Sequence, residues 1–183
     1  MADVIASDVI DGVYVVQPTI HGDERGIFIE TYRREWFPQG REMIQGNRGN
    51  RQQGAVVGLH YHLHQADYWY VPYGRAMVVL HDLRDGSPSD GRSQVLEIGA
   101  HDHRGVYIPS GVAHGFYALT DLTITYLVDN YYDASDELGV AWDDPALAID
   151  WPDAEPTLSQ RDQHNPRRDE IPDFQRPRFS KGR

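Results

Sequence analysis

The 183-residue chain contains no cysteine, and its only lysine is Lys181, close to the C-terminal end. Without cysteine there is no disulfide, no thiolate metal site and no cysteine nucleophile. Without an internal lysine, Schiff-base chemistry and a phosphate-loop lysine are excluded as well. No stretch approaches the roughly 18 apolar residues needed to cross a bilayer. The opening "MADVIASDVIDG" lacks the basic start and apolar run of a secretory signal. A cytoplasmic protein without membrane contact is the expectation. Positive charge is scarce: 17 Lys and Arg face 28 Asp and Glu, for a net charge of −11. Such a surface suits nucleic-acid phosphates poorly, so no nucleic-acid partner is expected and local arginines must do any anion binding.

Helical periodicity is also rare. Between residues 10 and 130 the chain is a series of short β-rich runs, among them "GVYVVQP", "GAVVGLHYHLH", "DYWYVPYG", "RAMVVLHDLR" and "LTITYLVDNYY". Turn-forming stretches such as "DGSPSDG" and "IPSGVAHG" separate them. Within this span only "ETYRREWFPQG" reads as a short helix, and from about residue 133 small helices or turns are expected around Trp142 and Trp151. The fold class is therefore all-β: an antiparallel jelly roll, as sandwich or barrel, with a few short helices. The boundary falls after residue 164, leaving 165–183 as a polar, proline-bearing tail that hangs loose or wraps a partner. Trp142 and Trp151 read as packing anchors, and Trp69 as core.

The segment "GLHYHLHQADYWYVPYG", residues 58 to 74, places histidines at 60, 62 and 64. In an extended strand these share one face, opposite Leu59, Tyr61 and Leu63. Three imidazoles followed by Asp67 line a catalytic pocket or hold a metal. The remaining histidines, His21, His81, His101, His103 and His164, lie near turns or strand ends and read as solvated.

The ordered blocks "DERGIFIETY", "VGLHYH", "HDLRDGSPSDG", "IPSGVAHGF", "TYLVDNYYDASDELGVAWDDP", "IDWP" and "LSQRD" resemble the dTDP-4-dehydrorhamnose 3,5-epimerase family over about residues 12 to 165. The resemblance implies a cupin jelly roll, a homodimer exchanging N-terminal strands, and no cofactor or metal. It implies an isomerase that inverts C3, C5 or both in a nucleotide-linked, dTDP-type 4-keto-6-deoxyhexose. Proton removal beside the ketone gives an enolate, and a proton returns to the opposite face. By family matching, His60 is the base, Asp162 the carboxylate that orients or raises it, and Tyr126 the acid. The same matching assigns Arg25, Glu30, Gln45, Asn47, His114, Tyr132, Glu137 and Arg161 to the nucleotide-sugar pocket. Within that set, Arg25 and Arg161 suit phosphate and Tyr132 suits a nucleobase.

Three positions depart from the family pattern. Val57 stands where an arginine is usual, removing a phosphate contact. Asp67 stands where a lysine usually supports the ketone oxygen. Losing one such donor costs roughly 3 kcal/mol, or about a hundredfold in rate, and a carboxylate in its place repels the developing charge. His62 replaces a usual glutamine. Read as a generic cupin, His60, His62, Asp67 and His114 make a nitrogen-and-carboxylate set for one divalent ion such as Fe, Mn, Ni or Zn, with His64 as a spare ligand. Such an ion would neutralise Asp67 and polarise a carbonyl. Two readings thus stand beside the epimerase: a metal-dependent cupin enzyme, and a noncatalytic sugar-nucleotide-binding protein in which Val57 and Asp67 have disabled catalysis.

Overall fold

The computed structural model describes residues 2–37 and 42–180. Thirteen strands are present among them. They are β1 (Asp3–Ala6), β2 (Tyr14–Gln17), β3 (Ile20–Asp23), β4 (Gly26–Ile29), β5 (Gln45–Arg51), β6 (Val56–Tyr61) and β7 (Asp67–Tyr73). They continue with β8 (Arg75–Asp82), β9 (Ser93–Gly99), β10 (Gly105–Ile108), β11 (Val112–Ala118), β12 (Leu122–Val128) and β13 (Leu138–Gly139). One sheet runs β1-β2-β10-β7-β12-β5, a second runs β13-β6-β11-β8-β9, and β3-β4 form a separate hairpin. Every named pairing is antiparallel. Two facing antiparallel sheets with non-sequential neighbours are the jelly roll that the closely spaced strand signals imply.

Alternation along each strand sorts side chains between three apolar layers. Trp69, Val71, Val106, Ile108, Leu122 and Ile124 of the first sheet meet Ala76, Val78, Leu80, Val112 and Phe116 of the second in the central core. Intervening residues face outward but stay covered. Tyr68 and Tyr107 pack with Trp36 and Phe37, while Leu59, Tyr61, Val79 and Ala113 pack with Val140, Leu147 and Ile171. Because both faces of β8 are covered, it reads as an unbroken apolar run, "AMVVL". Each fully buried aliphatic side chain contributes about 1.5–3 kcal/mol of transfer free energy.

The structure changes several expectations. The stretch 30–37 forms one 3-10 turn, Arg34–Trp36, with Trp36 buried; Pro38, Gln39 and Gly40 of the expected helix lie outside the described residues. Residues 165–180 lie against the barrel: Ile171 is buried, the Asp85 and Phe179 amides pair through Pro177 and Asp85 carbonyls, and Arg84 covers the Phe179 ring. Polar composition hid this docking because much of it is backbone pairing and arginine contacts, such as Arg168 to Asp90 at 2.6 Å. Lys181 lies outside the described residues. Trp142 and Trp151 do anchor each other, edge to face at 5.8 Å, with the Trp151 indole donating to the Trp142 carbonyl.

His81 is the clearest reversal. It is fully buried, not solvated, because the turn at Pro145–Leu147 closes over the end of β8. The Ser93 hydroxyl donates to the Leu147 carbonyl at 2.6 Å and sits 2.8 Å from His81 Nδ1, so Nδ1–H donates to Ser93. Burial pushes the His81 ring down to about 4, with the Arg168 charge adding to it and Asp82 and Asp144 opposing.

A ring that ionises near 4 when folded but near 6.5 when unfolded takes up its proton first in the unfolded chain. Stability is therefore complete above about pH 6.5 and falls as pH drops towards 4, by an order of 3 kcal/mol from this group. Denaturant titrations from pH 4 to 7 should show that slope, and His81→Asn should flatten it by about that amount.

Candidate active site

The site begins with a close approach of two backbones. Gly58 on β6 has φ +99°, and a Cβ there would lie 2.7 Å from the His114 carbonyl oxygen. A Cβ on Gly115 would lie 2.6 Å from the Val57 carbonyl. Glycine at both positions lets β6 and β11 meet with a register shift between His114 and Phe116. The shift turns both Val57 and His60 inward although they are three residues apart. His60 is then directly opposite His114, so the two rings share one face.

His60 is held from outside the sheets. Its Nε2 lies 2.7 Å from Asp162 Oδ1, on the 3-10 turn Asp162–His164. The Gly58 N–H reaches Asp162 Oδ2 at 3.3 Å, and Ser159 Oγ accepts the Asp162 N–H at 3.1 Å. Burial opposes ionisation of Asp162, yet the hydrogen bond and charge of His60, with the Gly58 and Ser159 contacts, hold its carboxyl below the ordinary value. A carboxylate only accepts, so the Asp162-facing nitrogen carries the proton and Nδ1 keeps the basic lone pair.

Across the barrel, the register places Tyr126 of β12 between Asn47 of β5 and Trp69 of β7. Gln45, Asn47 and Gly49 are the half-buried positions of β5, while their alternates are exposed, so the predicted Gln45 and Asn47 share the inner face with Tyr126. Gln45 Nε2 donates to Asn47 Oδ1 at 3.0 Å. Burial raises the Tyr126 phenol above its usual range, Asp67 and Glu137 add to the effect, and Arg51 works against it. The phenol therefore keeps its proton at neutral pH.

The remaining polar groups gather between these walls. His62, Asp67 and His114 each offer a ligand atom, all within 4.8 Å of one another, and all three residues are buried. His62 Nε2 is 4.0 Å from Asp67 Oδ1, and His114 Nε2 is 3.8 Å from Asp67 Oδ2. Burial pushes the His114 ring down to about 4, with Asp67 opposing and His62 assisting. His60 is not in this group, because its ring is committed to Asp162; the four-residue set expected from spacing is a three-residue set. Nor does His64 join it. β6 ends at Tyr61, the following bend exposes His64, and the Asp136 carboxylate fixes that bend by accepting the Leu63 and His64 amides at 2.6 and 3.1 Å.

Other assigned residues are placed unevenly. Glu137 and Arg161 pair at 3.2 Å beside the site, with Glu137 Oε1 3.9 Å from His62 Nδ1. Tyr132 is 68% exposed, and its amide N–H reaches Gln45 Oε1 at 3.3 Å. Arg25 lies apart on the exposed β3-β4 hairpin, its side chain 85% exposed and paired with Asp23. Glu30, just beyond that hairpin, pairs with Arg33 at 2.6 Å. Val57 packs against the central core. Three site residues escaped sequence reasoning: Gln65, Trp69 and Asp136. Gln65 and Trp69 donate to the two Asp67 oxygens at 2.9 and 3.0 Å. The i, i+2 spacing of both about Asp67 was the available signal; nothing local marked Asp136.

Comparison with known proteins gives one family. The sequence profile of dTDP-4-dehydrorhamnose 3,5-epimerase matches residues 7–170. The dTDP-4-dehydrorhamnose 3,5-epimerase of Shigella flexneri is 34% identical over 168 residues, covering 87% of this chain and 92% of that protein. A dTDP-4-dehydrorhamnose 3-epimerase from Streptomyces niveus is 38% identical over 162 residues, covering 84% and 78%. The crystal structure of dTDP-6-deoxy-D-glucose-3,5-epimerase from Legionella pneumophila, in complex with dTDP-4-keto-L-rhamnose, superposes with a TM-score of 0.92. It shares 31% identity and covers 98% of this chain and 100% of that one.

The Gly58 contact carries its own test. Gly58→Ala meets both a positive φ and the His114 carbonyl, so it should destabilise the fold by about 1–3 kcal/mol, read as a lowered denaturation midpoint. The same substitution at Gly86, whose added Cβ meets nothing within 4 Å, carries only the φ strain and should cost less.

Proposed function

Because the chain belongs to the dTDP-4-dehydrorhamnose 3,5-epimerase family, we propose that it epimerises a dTDP-linked 4-keto-6-deoxyhexose at C3, C5 or both. The carrying observation is the His60–Asp162 hydrogen bond of 2.7 Å, on the barrel wall facing the sheet that bears Tyr126. His60 Nδ1 takes the proton from the carbon beside the ketone, and the electron pair moves to the ketone oxygen. Asp162 stabilises the imidazolium so formed. Tyr126 then delivers its phenolic proton to the opposite face, inverting the centre. A buried phenol whose ionisation is raised suits that task, since it is protonated when the enolate forms.

Pocket roles follow from position. Gln45 and Asn47 present amides on the inner face of β5, suited to sugar hydroxyls. Tyr132 offers an exposed ring for stacking on the base, and Arg161 a guanidinium at the rim for phosphate. The relatives reported above include one named for C3 inversion alone. Inversion at a single centre also suits a site in which Val57 and Asp67 replace the usual phosphate and ketone contacts, respectively.

The protein acts as a homodimer in this reading. Ile27 and Phe28 of the β3-β4 hairpin are 62% and 70% exposed, and neither strand joins the two main sheets. An apolar hairpin of this kind needs a covering surface. Lodged on a second copy, it would carry Arg25 and Glu30 to that copy's pocket, which explains why Arg25 lies away from its own.

In D2O, dTDP-4-keto-6-deoxyglucose should gain deuterium at C3, C5 or both, and NMR will locate it. His60→Asn should slow this about 10²–10⁴-fold. Tyr126→Phe should block inversion while deuterium still enters with retention from the His60 side. No exchange in any dTDP-4-keto-6-deoxy sugar would defeat the reading. Light scattering should return twice the chain mass, and Phe28→Asp should shift the protein to monomer and depress turnover together.

A further inference from the structure

The geometry points to a binding site for one divalent transition-metal ion, of the Zn2+, Fe2+, Ni2+ or Mn2+ class, formed by His62, Asp67 and His114. The ion serves as the electrophile for the enolate oxygen. This deepens the epimerase reading and rests on it for the ion's role, though not for its binding.

The tautomers come first. His62 Nδ1 lies 2.8 Å from the Asp136 carbonyl oxygen, and His114 Nδ1 lies 2.9 Å from that of Val112. A carbonyl can only accept, so each Nδ1 carries the proton and each Nε2 keeps a lone pair. Both Nε2 atoms face the Asp67 carboxylate, at 4.0 and 3.8 Å, beyond hydrogen-bonding distance. Three electron-pair donors therefore converge on one buried point. Among the described residues, no lysine or arginine pairs with Asp67. A bridging water has two hydrogens and satisfies two of these atoms; a cation satisfies all three.

The spacing suits an ion. Bonds of about 2.0–2.2 Å set tetrahedral ligands about 3.4 Å apart. The His62 and His114 separations from Asp67, 4.0 and 3.8 Å, therefore close by about half an ångström, and the whole set, within 4.8 Å, by about 1.4 Å at most, which side-chain rotation supplies. The outer contacts are those of a metal centre as well. Each imidazole is oriented by a backbone carbonyl on its far nitrogen, and each Asp67 oxygen accepts an N–H, from Gln65 and from Trp69. The Trp69 ring also stands edge to face with the His114 ring at 5.2 Å. With three protein ligands, an ion keeps open positions for substrate.

His60, bonded to Asp162, is free of this set, so the base and the electrophile are separate groups. The carbon proton passes to His60, and the C–H electron pair moves through carbon to the ketone oxygen. That oxygen is held by the ion as the enolate forms. Tyr126 returns a proton to carbon, and solvent then reprotonates Tyr126 and relieves His60. Two of the three positions that depart from the family, His62 and Asp67, hold the ion, and the ion brings the positive charge that a lysine would otherwise supply.

The test uses full-length protein carrying no histidine tag, stripped with a chelator. Calorimetric titration with Zn2+, and the visible spectrum on adding Co2+, should show one ion per chain. Asp67→Asn and His114→Gln should each weaken binding at least a hundredfold, and Trp69→Phe by about tenfold or more. His60→Asn should bind metal as the wild type does while losing deuterium exchange. Circular dichroism separates a lost site from a lost fold, and His62→Gln gives a second reading should one variant unfold. Absence of stoichiometric uptake, or binding unaffected by Asp67→Asn, overturns the site. Full exchange by stripped protein, unchanged on adding metal, overturns its role as electrophile. Metal uptake without exchange on any dTDP-4-keto sugar sustains the site and removes the epimerase reading instead.

Discussion

The near contact of β6 and β11 is the constraint on which the rest depends. Two glycines let one backbone carbonyl from each strand sit where a Cβ would otherwise stand, at 2.7 and 2.6 Å. The resulting register shift turns His60 inward beside His114 and leaves the Gly58 N–H aimed at Asp162. One packing solution thus sets the position of the base, the direction of its hydrogen-bonding partner and the neighbour at its side. Substituting either glycine would move all three together, since no flexible side chain stands between them to absorb the change.

Around that contact the protein arranges charge with very little cation. Asp67, His62 and His114 are buried beside Tyr126, and Glu137 stands at the edge with Arg161. Negative charge near Tyr126 and burial of the ring act in the same direction, holding its phenol protonated. Asp162 shows the opposite balance: burial works against its charge, but His60 and two further contacts outweigh burial. The same barrel therefore keeps one acid charged to serve a base and one phenol neutral to serve as an acid. Environment makes that distinction, not residue type.

Much of this was readable in the chain. Alternation in "GLHYHLH" separated inward His60 and His62 from outward Leu59, Tyr61 and Leu63, and the outward three do pack together on the far side of the sheet. The jelly roll followed from many short strands with turns between them. Failures arose wherever a distant segment decided the outcome. Alternation alone puts His64 on the same strand as His60, but that strand ends at Tyr61 because the Asp136 carboxylate, 73 residues from Leu63 in sequence, captures the chain there. His81 looked like a strand-end residue in solvent until Leu147 covered it. His60 had the spacing of a metal ligand, yet Asp162, 102 residues away, claims its ring. Local pattern reports which face a side chain takes; it does not report what arrives at that face.

The separation of His60 from His62 by a single outward residue has a chemical consequence. An imidazole that binds a metal gives up the lone pair a base needs, so one ring cannot hold both roles at once. Here Tyr61 points into the outer layer, and the two rings flanking it enter the barrel with different partners. His60 meets a carboxylate that fixes its proton on Nε2, whereas His62 meets a carbonyl that fixes its proton on Nδ1. The basic nitrogen of His60 is Nδ1 and that of His62 is Nε2, so their lone pairs lie on opposite ring positions although the rings lie on one wall. Asp162 and the Asp136 carbonyl, both contributed by segments after the last long strand, divide a proton acceptor from an electron-pair donor within three consecutive residues.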